Sequence, residues 1–190
     1  MKDIIKKIFE DSIKVKKEFI LDDANVSKIA EAAKTIIDSY SRGGKVIVFG
    51  NGGSAADSQH FAAELMIRFE KERRSLPCIA LSTNTSNLTA ASNDYGYDSS
   101  FSRQLEGLAK EGDVAVAVST SGNSKNVLDA AKKARSLKIP VIGLLGRDGG
   151  KLAGISDIPI IVKDQNTARV QEAHGVIMHA LCKIIEDNIS

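Results

Sequence analysis

Lys45-Val46-Ile47-Val48-Phe49 is an apolar, β-branched run that enters Gly50-Asn51-Gly52-Gly53-Ser54 and leaves on Ala55-Ala56-Asp57-Ser58-Gln59-His60-Phe61-Ala62-Ala63-Glu64. A buried strand that turns through glycines straight into a helix is the repeating unit of a parallel α/β sheet. Glycines let the backbone approach a ligand closely, and the first N–H groups of the helix have no partner within it, so the turn is a seat for an anion such as a phosphate. One or two turns further on, His60 and Glu64 stand four residues apart on one helix face, a spacing that suits a metal or an acid/base pair.

Gly50-x-Gly52-x-x-Ala55 also satisfies a loose dinucleotide fingerprint, with Glu70 near the place of its ribose-binding acid. That acid should end the second strand. Glu70 instead lies in a charged segment, Arg68 to Ser75, ahead of the strand predicted at Cys78 to Ser82, and the dinucleotide reading is set aside.

Strands and helices alternate along the rest of the chain. Two helical patterns come first, the second from about Asn25 to Ser41 and stopped by Gly43-Gly44. After Cys78 to Ser82, Thr83-Asn84-Thr85 caps a short helix through Ala91, Ser92 to Asp98 is turn chemistry, and Phe101 to Leu108 is helical. Strands are predicted at Val114 to Val118, Pro140 to Leu144 and Ile158 to Val162, with a helix ending near Leu137 after the first and a helical turn from Gly149 to Ala153 after the second. The chain closes on a long helix from Thr167 to about Asp187. Five strands separated by helices predict one parallel sheet covered on both faces, in a single domain spanning residues 1–190.

Composition removes several classes of function. The 26 basic and 24 acidic residues leave a net charge of +2, interspersed throughout, and aromatics make up only 5%, so neither nucleic acid nor a membrane is a predicted partner. The amino terminus has helical spacing rather than a secretory apolar block, and Cys78 and Cys182 are too few for a disulfide framework. A cytoplasmic protein with reduced thiols is expected.

Three groups carry the candidate chemistry. Ser119-Thr120-Ser121-Gly122-Asn123-Ser124 sets four hydroxyls directly after a strand and before a helix, echoing the Gly50 to Ser54 loop. Hydroxyls and free N–H groups satisfy a phosphate without a cation, although Lys125 is near; the alternative is that Ser124 merely caps the helix, which explains one hydroxyl of the four. His60 and Glu64 are either a solvated surface pair or a site, and Phe61, Ala62 and Ala63 favour a packed setting; Arg68 is placed to reach a ligand from the end of this helix. The last helix carries Gln171, Glu172, His174 and His179. Gln171 and His179 are roughly 80° apart around its axis and about 12 Å along it, so to meet at one ion both must stretch or one must come from a neighbouring chain.

In these residues the chain resembles the phosphoheptose isomerase family of SIS (sugar isomerase) domain proteins over nearly its whole length. The likeness rests on Gly50 to Ser54, His60 to Glu64, Asn93-Asp94, Ser119 to Ser124, and Arg169-Val170-Gln171-Glu172 with the later His179. It implies a flavodoxin-like five-stranded parallel sheet with long N-terminal helices, residues 1–43, that pack on the core and in oligomer contacts of a homotetramer. It further implies conversion of D-sedoheptulose 7-phosphate to D-glycero-D-manno-heptose 7-phosphate, the first step of ADP- or GDP-heptose precursor biosynthesis. By the same resemblance His60, Glu64, Gln171 and His179 are the ligands of one Zn²⁺ per subunit, and Glu64 and His179 the acid/base pair. Asn51, Gly52, Gly53, Ser54, Glu64, Asn93, Asp94, Ser119, Thr120, Ser121, Ser124 and Gln171 are substrate-binding positions, and His174 is structural. The alternative is a non-catalytic SIS adaptor that binds a replication initiator or another protein, which would have little reason to keep both the His60/Glu64 and Gln171/His179 pairs.

Overall fold

In the computed structural model, which describes residues 1–189, two helices precede the sheet: α1 (Lys2–Ile20) and α2 (Asp23–Ser41). There follow β1 (Val46–Gly50), α3 (Gly53–Met66), β2 (Cys78–Ala80), α4 (Thr85–Tyr95), a 3₁₀ turn at Tyr97–Ser99, α5 (Ser102–Leu108), β3 (Val114–Ser119), α6 (Lys125–Ser136), β4 (Val141–Gly146), α7 (Gly150–Ala153), β5 (Ile158–Val162) and α8 (Thr167–Asn188). The strands form one parallel sheet in the order β2-β1-β3-β4-β5. Strand alternation divides the core in two. Val46, Val48, Val116 and Leu144 pack with residues of α1, α2, α3 and α8 on one face, whereas Ile47, Phe49, Ala117 and Leu145 pack with α5, α6 and α7 on the other.

This order reverses the direction of strand addition between β1 and β3, the switch point at which ligands of open α/β sheets bind. The register pairs Gly50 with Val118, so the Gly50–Ser54 and Ser119–Ser124 loops leave the sheet from adjacent strand ends. Gly50 must be glycine there, since a Cβ would stand 2.7 Å from the Val118 carbonyl oxygen.

Several boundaries differ from the sequence expectations. Helix α2 begins before Asn25 because Asp22 caps it, its side chain accepting from Ala24 N at 3.0 Å. Helix α4 runs past Ala91 to Tyr95, so Asn93 and Asp94 are helical rather than in a turn. The Ser92 hydroxyl is turned onto the Leu88 carbonyl at 2.6 Å, away from the turn contacts that a serine makes in loops, and Gly96 at φ +84° ends the helix. Edge strand β2 is only three residues, and β4 extends to Gly146. Among the described residues no helix is long and apolar enough to cross a membrane.

Helix α1 is the exception to an otherwise well-covered molecule. It buries only Ser12 and Val15, while Ile4, Ile5, Ile8, Phe9 and Ile13 are 46–66% exposed. Beside it, Ile13, Phe19, Ile20, Val176 and Ala180 line an apolar groove of about 570 Å³.

Candidate active site

The serine loop is built as an open cup. Ser119 Oγ lies 3.5 Å from both Ser121 Oγ and Ser124 Oγ, and it accepts a hydrogen bond from Gly122 N at 3.1 Å. Ser124 is the N-cap residue of α6 yet makes no side-chain capping bond, so capping does not account for its hydroxyl. The orphan N–H groups of α6 and three convergent hydroxyls therefore face one space. Gly122, at φ +62°, lets the loop lie against Gly149, whose carbonyl oxygen would be 2.0 Å from a Cβ. Thr120 is half-buried, its carbonyl turned toward Gly146. Lys125 does not join the cup; its amine is paired with Asp98.

Residues that the sequence did not single out tie the two loops together. Asn51 Nδ2 donates to Asn126 Oδ1 at 2.8 Å and Asn126 Nδ2 donates to Asn51 Oδ1 at 2.9 Å, while the Tyr97 hydroxyl donates to Asn51 Oδ1 at 2.8 Å. Asn126 is buried, in the first turn of α6. Gly52, at φ +56°, turns the backbone into α3, where Ser54 is buried. Gly53 leaves room for the Gln171 amide: a Cβ there would be 1.9 Å from Gln171 Nε2.

Helix α3 then presents His60 to α8. His60 Nε2 and His179 Nε2 are 2.9 Å apart with the rings edge to face, and Glu64 Oε1 is 3.5 Å from the same His60 nitrogen. Phe61 and Leu65 anchor the helix in the core, whereas His60 and Ala63 are exposed, so the pair stands on the rim of a packed helix rather than within it. Asp57, one turn before His60, was missed. Its Oδ2 is buried without a partner, and burial raises its pKa against the pull of His60. The i, i+3 spacing of Asp57 and His60 was the available signal.

Other expected residues lie apart. Asn93 and Asp94 are exposed on the last turn of α4, with Asn93 Nδ2 bonded to Asp94 Oδ1 at 2.8 Å; within this chain it is Tyr97, three residues on, that reaches the glycine loop. Arg68 is exposed beyond the end of α3. His174 is buried and structural, its Nε2 bonded to the Leu145 carbonyl at 3.0 Å. Glu70 pairs with Lys183 at 3.3 Å, away from the end of β2, which disposes of the dinucleotide reading.

Two imidazole nitrogens and a carboxylate oxygen are a donor set suited to zinc. Tetrahedral coordination asks for roughly 3.3 Å between two ligating nitrogens, slightly more than the two rings show. Among the described residues no three His, Cys, Asp or Glu side chains form a closed metal-holding group, so an ion here needs a further donor; Gln171, the expected fourth ligand, packs instead on Gly53 at the start of α3, two turns before His60.

A loop of hydroxyls at the switch point, and an imidazole pair with a carboxylate between α3 and α8, suit a sugar isomerase type of domain, and the family profile described as "SIS domain" matches residues 9–146. A phosphoheptose isomerase of Helicobacter hepaticus is 57% identical over 158 residues, covering 83% of this chain and 81% of that protein. One of Clostridium acetobutylicum is 46% identical across 100% of this chain and 96% of its own length. The solved phosphoheptose isomerase of Neisseria gonorrhoeae superposes with a TM-score of 0.91 at 42% identity over 98% of each chain. The chain belongs to the SIS domain family, in its phosphoheptose isomerase branch, and is an isomerase.

Proposed function

We propose that the protein converts D-sedoheptulose 7-phosphate to D-glycero-D-manno-heptose 7-phosphate, the first step toward ADP- or GDP-heptose precursors. The supporting observation is the approach of His179 to the His60/Glu64 pair on the α3 helix that leaves the β1/β3 switch point, the same switch point at which three serine hydroxyls converge. In this reading the ester sits on Ser119, Thr120, Ser121 and Ser124, and the glycine loop and Gln171 hold the sugar toward α3. Glu64 takes the proton from C1 and returns it to C2 through an enediolate, while His179 moves the hydroxyl proton from O1 to O2, so the ketose and aldose differ by no net atom or electron. Asn93 and Asp94, exposed at the end of α4 and apart from the loops within this chain, would join the substrate at a site between subunits. His60, Glu64, Gln171 and His179 would hold a zinc ion, which supplies a positive charge beside the reacting oxygens.

The uncovered apolar face of α1 and the groove against α8 support assembly of this domain with copies of itself, which we take to be a homotetramer and which sedimentation tests directly; a cytoplasmic setting is part of the same proposal. A partner-binding adaptor has no use for the imidazole pair. Incubation with sedoheptulose 7-phosphate, with and without a chelator, tests the reaction and its metal dependence together. Aldoheptose formation lost on chelation and restored by zinc is expected; no turnover in the zinc-loaded protein would overturn the proposal.

A further inference from the structure

The segment that follows α3 is held by a buried charge pair that the proposed chemistry does not use. Glu186, near the end of α8, accepts hydrogen bonds from Phe69 N at 3.1 Å, Glu70 N at 2.8 Å and Lys71 N at 2.8 Å. Its Oε1 is also 3.2 Å from Arg73 Nε, and the two side chains are only 1% and 4% exposed. The Arg73 guanidinium in turn donates to the Glu64 carbonyl at 2.7 Å and the Leu65 carbonyl at 2.9 Å, the unsatisfied end of α3. At the other end of the segment the Phe69 ring lies against that of His179, with centroids 5.5 Å apart and a 34° tilt.

Both members of the proposed acid/base pair are thus touched from one place, His179 at its ring and Glu64 at its backbone. Phe69 backs the ring of His179, and Arg73 holds the backbone of Glu64. Glu186 fixes both, because its acceptor-only carboxylate takes three backbone N–H groups of the segment and pairs in charge with Arg73. We propose that Glu186 and Arg73 are positioning residues for His179 and Glu64, acting through residues 69–73. This rests on the proposed function for its kinetic consequence, though not for its geometry.

Glu186→Gln is isosteric but turns an NH₂ group toward backbone donors, releasing the segment while filling the same space. Phe69→Leu removes the ring alone. Each is expected to lower kcat about tenfold with KM within about twofold, the signature of lost alignment rather than lost binding. The double variant should lose little more than either single one, because both act by one route. With three histidines in the chain, the ring protons of His179 are assignable by NMR, and Glu186→Gln should shift them in the same direction as Phe69→Leu. Multiplying losses in kcat, or His179 resonances that stay at their wild-type positions in Glu186→Gln, would overturn the proposal. Should Glu186→Gln not fold, Phe69→Leu with wild-type kcat overturns it as well. A wild-type protein without turnover defeats the proposed function, and the NMR comparison then decides this inference by itself.

Discussion

Ser124 heads α6 without capping it, and that detail separates a loop made for stability from one made for a ligand. A capping serine replaced by alanine costs about 1 kcal/mol of stability. Ser124→Ala is instead expected to leave the melting temperature unchanged and to raise KM about tenfold at constant kcat, because a hydrogen bond to a charged phosphate is lost equally in ground and transition states. Glu64→Gln should do the opposite: turnover falls by about 10²–10⁴, while calorimetry still detects sugar phosphate binding. The sequence revealed these residues because each belongs to a short local pattern. Asn126 and Asp57 were hidden for a physical reason. Asn126 is a polar residue inside an amphipathic helix, and its burial follows only from meeting Asn51, 75 positions earlier.

At the scale of elements, the strand-loop-helix units around β1 and β3 were legible, since burial on both faces demands continuous apolar runs. The end of α4 was not, because Ser92, Asn93 and Asp94 favour turns in isolation and are carried as helix by the cap at Asn84. The approach of α8 to α3 lies in no local pattern and was legible only through the family resemblance; it brings Gln171 over Gly53. Gly53→Ala should push aside a flexible amide rather than backbone, so activity falls by about tenfold or more while thermal stability stays nearly the same. Helix α8 is also tied to β4 by His174, which burial keeps neutral, with a pKa lowered to about 4 despite its bond to Leu145. The unfolded chain takes up this proton near its ordinary value of 6.5 and the folded one does not, so stability falls as pH drops from about 6.5 to about 4. The loss is on the order of 3 kcal/mol at the bottom of that range. Urea unfolding of His174→Gln across these pH values should show a flatter profile than wild type.

For the whole molecule, the strand order decides where function lies: placing β1 next to β3 sets the two loops side by side, a consequence of topology that no local pattern contains. The seat proposed for the phosphate has no formal charge of its own, since it is made of hydroxyls and peptide N–H groups and the nearby lysine is paired with Asp98. The molecule around it carries a net charge of only +2. A dianion is therefore not drawn in from a distance by electrostatic steering, and its capture depends on contact-range dipoles that dissolved ions screen poorly. Raising ionic strength from about 0.01 M to about 0.15 M shortens the screening length from about 30 Å to about 8 Å. Stopped-flow measurement of the association rate across that range should nevertheless change it by less than about twofold. The enzyme would take its substrate equally well in dilute and in salty surroundings.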